Sequence, residues 1–463
     1  MTSGLATLTE EFPSGVPVAS PTFGEALAVW AKIGWISFGG PAGQIALMHR
    51  ILVEEKRWIE ETRFLHALNY CMLLPGPEAQ QLATYVGWLM HGIRGGLAAG
   101  LLFIVPGALV LLVLSCVYVL YQGVPLLEGV FLGIKAAVLV LVIEALLRIA
   151  KRVLKNRVMK MVALSAFLGI FVGNIPFPII VLTAALVGFI GLRAGESQFA
   201  VLTGHTSEDA PVLEAKPPRG MLRTVAMAVG GLVLWAGPIA IFAVLLGKDH
   251  VLVSEGVFFS KLAVVTFGGA YAVLAYMAQQ AVDTYAWLSA SEMLDGLGLA
   301  ESTPGPLIMV TQFVGFLGAY RNPAPFDPMT AAVLGSAMTV WATFVPCFLW
   351  ILLGAPYVEQ MRYNRYASAA LSTITAAVVG VVLNLTVWFG VHVLFRKVTT
   401  TGFEHFRLIV PDPASIDVAA LAIVALAAIG MLRYRVGVGW TLAVCGALGI
   451  LFNQLTAGMP GLW

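Results

Sequence analysis

The sequence predicts an all-α polytopic membrane protein built from two inverted repeats, with helices broken or re-entrant at Gly and Pro motifs. Three observations favour this fold class: an apolar composition, many segments of membrane-spanning length, and a pair of motifs that occurs twice. Hydrophobic residues make up 59% of the 463 residues and charged residues 11%, whereas soluble domains carry about 25% charged residues. The lipid bilayer is therefore the expected surrounding, and nucleic acid is not an expected partner.

About 20 apolar residues cross a bilayer core, and thirteen segments meet that length. They lie near 24–48, 66–91, 95–121, 124–147, 158–175, 177–192, 223–247, 257–280, 293–318, 329–353, 366–395, 414–433 and 436–457. These segments and the polar stretches between them divide the chain into five parts. The parts are an N-terminal tail (1–22), a first membrane repeat (23–192), a polar linker without a soluble domain (193–222), a connecting transmembrane helix (223–247) and a second membrane repeat (248–463).

Two motifs recur at a fixed spacing and predict the repeat. Ser37-Phe-Gly-Gly40 returns as Thr266-Phe-Gly-Gly269, and Pro75-Gly-Pro77 returns as Pro304-Gly-Pro306, each 229 residues later. We call them the Gly-Gly breaks and the Pro-Gly-Pro breaks. The equivalent of the first segment is the eighth, seven crossings later, and an odd displacement reverses direction across the membrane. Paired, interrupted membrane segments in two inverted halves are typical of secondary transporters, whose substrate site lies near the midplane.

Basic loops set the predicted orientation by the positive-inside rule. Residues 148–160 and the linker 193–222 are rich in Lys and Arg, so both are expected in the cytoplasm. With thirteen crossings the N-terminus is then cytoplasmic and the C-terminus lies outside. The basic loop 50–63 contradicts simple alternation. The conflict disappears if the four interrupted segments are re-entrant hairpins, and continuous but kinked helices remain the alternative.

Helices that restart after a break direct unpaired N–H groups and a partial positive charge at it, which favours anions. Gly and Pro could instead serve only kinks or close helix contacts. Lys32 and Lys261 each precede a Gly-Gly break by five residues. They could bind the substrate, or their side chains could snorkel to the membrane interface. Neutral hydrogen-bonding groups near the breaks could replace the water shell of an oxyanion. The predicted substrate-binding set is Lys32, Ser37, Gly39, Gly40, Gln44, Gly76, Gln80, Gln81, Lys261, Thr266, Gly268, Gly269, Thr303 and Gly305.

Glu78 is the predicted coupling residue. It follows the first Pro-Gly-Pro break, where the helix dipole stabilises a carboxylate, so simple capping is the alternative role. Facing an anion site it would repel the substrate unless protonated, which is the behaviour that a proton-coupled antiporter would use.

Other classes of function lack a site in the sequence. There is no GxxxxGK[ST] loop for ATP, no HExxH, and no CxxC or other metal-ligand spacing among the His and Cys residues. We therefore expect neither an enzyme nor a bound cofactor or metal.

The motifs also resemble those of a known family. Ser37-Phe-Gly-Gly-Pro-Ala-Gly-Gln44, the stretch Asn69–Gln81, and Thr266–Tyr271 with Thr303–Gln312 are similar to the chromate ion transporter (CHR) family in its long, two-domain form. The resemblance runs from about residue 23 to beyond residue 430. It implies chromate export across a bacterial inner membrane and chromate resistance, with the C-terminus in the periplasm. A transporter of sulfate or a related oxyanion and an anion channel are the alternatives, and a homodimer stays open.

Overall fold

The computed structural model describes residues 21–194, 220–267, 270–355, 365–403 and 406–457. Within these ranges there are sixteen α-helices and one two-stranded sheet. The helices are α1 Phe23–Ile36, α2 Gly40–His49, α3 Glu61–Cys71, α4 Glu78–Leu120, α5 Pro125–Val153, α6 Arg157–Phe171, α7 Phe177–Arg193, α8 Met221–Leu246, α9 Val251–Val265, α10 Ala270–Ala278, α11 Ala290–Ser302, α12 Val310–Arg321, α13 Pro328–Gly354, α14 Arg365–Leu394, α15 Val418–Ala428 and α16 Val438–Ala457. The strands are β1 Val398–Phe403 and β2 Phe406–Pro411. Five parts of the sequence analysis lie outside the described residues: residues 1–20 of the N-terminal tail, most of the linker, Gly268, Gly269 and Trp463.

All four predicted breaks interrupt helices. The first Gly-Gly break separates α1 from α2, and the first Pro-Gly-Pro break separates α3 from α4. In the second repeat, α9 ends before the Gly-Gly break, and the Pro-Gly-Pro break lies between α11 and the short 3₁₀ turn that precedes α12. Short π-helical turns, 50–55 and 279–284, extend α2 and α10 at matching places. The prediction of broken helices at these motifs is confirmed.

α4 is two arms joined at a sharp reversal. His91 and Gly92 have non-helical dihedral angles, and Gly92 has φ 64° and ψ −149°. The arms 78–90 and 93–120 pack against each other so closely that a Cβ on Gly87 would lie 2.5 Å from Gly95 O. In the second repeat, a Cβ on Gly335 would likewise lie 2.5 Å from Gly315 O. Both repeats therefore turn back into a close antiparallel helix pair after the Pro-Gly-Pro break.

Six helices are long and apolar enough to cross a membrane, among the described residues: α4, α5, α8, α13, residues 368–394 of α14 and residues 438–455 of α16. The helices that flank the breaks are shorter; α1 has 14 residues, about 21 Å at 1.5 Å per residue, against a hydrocarbon core of about 30 Å. The four interrupted segments are therefore assemblies of half-length helices.

The predicted connecting helix 223–247 is α8. No residue of α8 is buried. It lies against α13 through two matched indole hydrogen bonds: Trp235 Nε1 donates to Ala342 O and Trp341 Nε1 donates to Leu234 O, both at 3.1 Å.

The two repeats pack through their long helices. A Cβ on Gly133 of α5 would lie 1.8 Å from Cys445 O on α16, and one on Gly380 of α14 would lie 2.0 Å from Ala163 O on α6. At these glycines α5 packs directly against the backbone of α16, and α14 packs directly against the backbone of α6. Each contact joins a long helix of one repeat to a C-terminal helix of the other. The antiparallel pair β1–β2 was not predicted, because the search for apolar length passes over short polar segments; its Thr-rich first strand has the β-branched composition of strands.

Candidate functional site

The breaks of the two repeats meet through a reciprocal pair of backbone hydrogen bonds. Gly305 N–H donates to Ser37 O at 3.0 Å, and Gly76 N–H donates to Thr266 O at 2.9 Å. The Gly-Gly break of each repeat is therefore hydrogen-bonded to the Pro-Gly-Pro break of the other. We call this contact the central seam.

Glycine is required on both sides of the central seam. Gly76 has φ 127° and Gly305 has φ 93°, in the region that residues with a Cβ rarely adopt. A Cβ on Gly76 would also lie 2.7 Å from Gln81 Nε2 and 2.8 Å from Cys347 Sγ. These two predicted residues are needed for the backbone path that makes the reciprocal bonds.

The seam lies at half the depth of a spanning helix. A Cβ on Gly107, which is near the middle of the arm 93–120, would lie 2.3 Å from Pro304 O. The ends of the half-length helices that point away from the seam lie at one end of that arm. In the first repeat, a ring nitrogen of His91, next to the start of the arm, is 3.0 Å from the carbonyl oxygen of Pro21, just before α1. In the second repeat His250 Nε2 is 2.8 Å from Ala324 O, in the loop that joins α12 to α13.

The predicted hydroxyl groups are occupied by the backbone. Ser37 Oγ donates to Ile33 O at 2.7 Å, and Thr266 Oγ1 donates to Leu262 O at 2.6 Å. Thr303 Oγ1 is also bound locally, to a carbonyl three residues earlier at 3.0 Å. All three side chains are buried. In this conformation they terminate helices, and a ligand would have to compete for their protons.

The three predicted glutamines are buried and bond through their amide nitrogens. Gln44 Nε2 donates to Gly305 O at 2.6 Å and so reinforces the seam. Gln80 Nε2 donates to the Thr84 hydroxyl at 3.0 Å, and Gln81 Nε2 donates to Pro75 O at 2.7 Å. Each Oε1 is buried without a hydrogen-bond partner within the described part of the chain. The predicted role as anion donors therefore requires these amides to rotate away from their present partners.

The helices that restart at the first repeat's breaks lack side-chain caps. The N-cap residues of α2 and α4 are Gly39 and Pro77, and neither gives a capping hydrogen bond. α1 and α11, which begin away from the breaks, each carry a capping box. Gly39 is exposed, Gly40 is half-buried, and both have positive φ. The first N–H groups of α2 and α4 are thus left for water or a ligand.

Lys32 and Lys261 are not drawn into the seam. Both side chains are exposed, on the outward faces of α1 and α9. No ion pair or side-chain hydrogen bond to either ammonium is recorded within the described ranges. Their substrate role stays a prediction.

Glu78 begins α4, as predicted, and is half-buried. Arg152 of α5 is close enough to Glu78 for their opposite charges to interact, and its Nη2 lies 3.9 Å from Met72 Sδ. The basic end of α5 thus approaches the first Pro-Gly-Pro break. The coupling role of Glu78 stays a prediction.

Sequence reasoning missed two polar groups near the seam and one across the repeats. Tyr271 O–H donates to the buried carboxyl of Glu301 at 2.8 Å. Lys135 of α5 forms an ion pair with Asp295 of α11 at 3.2 Å. Tyr271 directly follows the second Gly-Gly-Ala stretch, and Glu301 precedes the second Pro-Gly-Pro break by three residues, so nearness to the breaks was the available signal. Asp295 carried no comparable signal.

A polar cavity of about 220 Å³ opens elsewhere, between α5, α15 and α16. Its charged lining residues are Glu128, Lys135, Arg396 and Asp417. No residue of the four breaks lines it, so we do not assign it to the predicted substrate site.

Comparison with known proteins identifies the family. A family model described as "Chromate transporter" matches residues 24–189 and 255–450, which include all four breaks. The chain belongs to the chromate transporter family. This is a family of membrane transporters and not of enzymes, and the resemblance drawn from the break motifs is confirmed.

Curated relatives agree with this assignment. The chromate transport protein of Pseudomonas aeruginosa is 32% identical over 366 residues, which are 78% of this chain and 79% of that protein. The chromate transport protein of Cupriavidus metallidurans is 27% identical, over 78% of this chain and 81% of that protein. A probable chromate transport protein of Synechococcus elongatus is 28% identical, over 84% of this chain and 92% of that protein. No solved structure matches the chain.

Proposed function

We propose that this protein is a secondary transporter that exports chromate from the bacterial cytoplasm by alternating access and so confers chromate resistance. Family membership and the names of the relatives support chromate as the substrate. The observation that carries the mechanism is the central seam, where four helix breaks meet at half the depth of a spanning helix. Interrupted helices meeting at mid-depth are the usual setting of a transporter's substrate site.

The reciprocal bonds support the inverted repeat. An interface in which patch A of one unit binds patch B of the other, and the reverse, is what a two-fold axis produces. Ser37 with Gly305 and Thr266 with Gly76 follow that rule. Two halves related in this way can exchange roles, which gives inward-open and outward-open states of similar energy.

The direction follows from the charge of the substrate. Chromate is a dianion at neutral pH, and one elementary charge gains about 2.3 kcal/mol per 100 mV of membrane potential. A dianion leaving a negative interior therefore gains about 4.6 kcal/mol per 100 mV, or roughly three decades of concentration ratio. Export needs no other energy source. Import would need more than two co-transported positive charges.

Re-entrant hairpins explain the charge distribution better than kinked spanning helices. Lys56, after α2, is close enough to Glu25, at the start of α1, for their charges to interact. The α1–α2 unit therefore leaves and returns at the same end. We infer that the basic loop 50–63 is cytoplasmic, as are the N-terminus and the linker 193–222, and that the C-terminus is periplasmic in the inner membrane.

Cysteine labelling from each side of the membrane tests this topology. In a background without the four native cysteines, a probe at Lys56 should react from the cytoplasm, and one at Thr284 from outside. A Lys56 probe that reacts only from outside would eliminate the hairpins and leave the inverted repeat standing.

Radiolabelled chromate uptake into inside-out vesicles tests the function itself. We expect saturable uptake driven by an interior-positive potential imposed without a pH gradient. Abolition by a small excess of sulfate would favour the sulfate or related oxyanion transporter, and uptake that rises linearly without saturation would favour the anion channel. Failure of the potential to drive chromate uptake would refute electrogenic export.

The second arm of α4 exposes an apolar stripe that would suit either lipid or a second copy in a homodimer: Leu97, Leu101, Val105, Leu109 and Val113.

A further inference from the structure

A tyrosine–glutamate pair lies beside the first Gly-Gly break without a place in the mechanism so far. Tyr271 is the second residue of α10, which follows the second repeat's own Gly-Gly break. Its hydroxyl donates to Glu301 Oε1 at 2.8 Å. Glu301 belongs to α11 and is only 6% exposed. The pair therefore joins the two interrupted segments of the second repeat.

The Tyr271 hydroxyl also faces the other repeat. Its oxygen would lie 4.0 Å from a Cβ built on Gly40. Gly40 is the first residue of α2, the uncapped helix whose free N–H groups favour an anion. On the same helix, Gln44 is 1% exposed and its Oε1 has no hydrogen-bond partner within the described residues. The hydroxyl thus approaches the start of a helix that carries free N–H groups and one buried, unsatisfied amide oxygen.

The charges around this pair come from α5. Glu144 is close enough to interact electrostatically with both Glu301 and Tyr271, and Arg148 is close enough to interact with Tyr271. Arg148 is itself bound to Glu144, with Nη2 and Oε1 at 2.5 Å. No lysine or arginine forms an ion pair with Glu301 in the described part of the chain. Among the residues that the structure describes, the Tyr271 hydroxyl is the one side-chain donor to this buried carboxyl.

We propose that Glu301 and Tyr271 link proton uptake to oxyanion binding at the N-terminus of α2. This inference rests on the proposed function, since it names how the same site responds to protons. With Glu301 ionised, the Tyr271 hydroxyl donates to the carboxylate and turns its oxygen lone pairs toward the anion. With Glu301 protonated, the carboxyl donates to the tyrosine oxygen, and the tyrosine proton is free to bind the oxyanion.

One proton therefore makes two changes that both favour the anion. It removes a negative charge near the site, and it converts a hydroxyl from a competing acceptor into a donor. Because linkage is reciprocal, an anion at α2 must in turn favour the proton on Glu301. A single fully linked proton changes affinity by about tenfold per pH unit.

The test is chromate binding to the purified full-length protein between pH 6 and pH 8, measured by equilibrium dialysis. Wild type is compared with Glu301→Gln, Tyr271→Phe and, as the matched control, Glu255→Gln. Glu255 is a second fully buried glutamate, on α9, enclosed by Gly318 and Gly335 near the ends of α12 and α13. At any one pH the protonation of chromate is the same for every variant. Differences between the variants' pH profiles therefore come from the protein.

We expect wild type and Glu255→Gln to gain affinity as the pH falls, by up to about tenfold per pH unit relative to Glu301→Gln. Tyr271→Phe should lose the part of the pH dependence that comes from the hydroxyl, keep the part that comes from removing the negative charge of Glu301, and bind more weakly than wild type at pH 6. A Glu301→Gln profile parallel to that of wild type would overturn the inference. If Glu301→Gln does not fold, Tyr271→Phe decides alone: a pH dependence as steep as that of wild type overturns the inference. Absence of chromate binding by wild type at every pH would refute the proposed function as well.

Discussion

The ion pair between Lys135 and Asp295 permits a quantitative prediction about how the repeats are held together. Lys135 Nζ lies 3.2 Å from Asp295 Oδ1 and also donates to Ser291 Oγ at 2.6 Å. Tyr118 O–H, from the second arm of α4, donates to Asp295 Oδ2 at 2.9 Å. First-repeat helices thus supply the partners of a second-repeat carboxylate within the membrane-embedded part of the protein.

The two single substitutions should differ in cost because the partners differ in exposure. The Asp295 side chain is 6% exposed, whereas that of Lys135 is 21% exposed and lines the polar cavity. Lys135→Met leaves a buried carboxylate without its cation and should cost about 3–5 kcal/mol of unfolding free energy. Asp295→Leu should cost less, since the flexible ammonium can turn to water in the cavity. Replacing both with apolar residues of similar size should recover most of the loss.

A double-mutant cycle measures this coupling. The unfolding free energies of wild type, the two single variants and the double variant are obtained by denaturant titration in mixed detergent micelles. We expect the double variant to be more stable than Lys135→Met and the coupling energy to exceed about 1 kcal/mol. Two single costs that add within about 0.5 kcal/mol would show that these charges do not stabilise the contact between the repeats.

Three further predictions concern the breaks. Lys32→Ala and Lys261→Ala should each weaken chromate transport at near-normal abundance; full resistance of cells carrying both, at equal expression, would show that these lysines only snorkel. Gly107→Ala would place a Cβ 2.3 Å from the backbone of the second Pro-Gly-Pro break and should reduce transport. The control Gly237→Ala in α8, whose Cβ would have no atom within 4 Å, should not reduce it. Equal transport by the two variants would contradict close packing at the seam. Glu78→Gln should remove the response of vesicle uptake to a pH gradient while keeping that to a potential, and an unchanged pH response would leave Glu78 as a helix cap.

The elements that sequence reasoning placed well are those set by local chemistry. Clusters of Gly and Pro favour the interruption of a helix, so the four breaks could be located without knowing what they contact. The connecting helix was equally visible, because apolar length alone defines it and α8 spans Met221–Leu246 against the predicted 223–247.

Partners across the fold could not be found in this way. Lys135 and Glu144 lie nine residues apart on α5, too far for a direct pair on one helix face, and the sequence offered no other partner for either. The structure gives Lys135 a partner 160 residues away in Asp295, and Glu144 a partner one turn away in Arg148. The first of these depends on how α5 packs against α11, which no local pattern encodes.

The repeat itself also concealed an asymmetry that bears on mechanism. At the spacing of 229 residues, Tyr271 and Glu301 correspond to Ala42 and Met72, so the first repeat has neither member of the proton-linked pair. The first repeat instead carries Glu78, at a position that is leucine in the second. The backbone bonds of the central seam are matched between the repeats, whereas their ionisable groups are not. In the proposed mechanism, the matched backbone contacts would allow the halves to exchange roles with little change in energy, and the unmatched carboxyls would make the two access states respond differently to protons. A symmetric seam with asymmetric titratable groups is therefore sufficient for both reversible alternation and a dependence on pH.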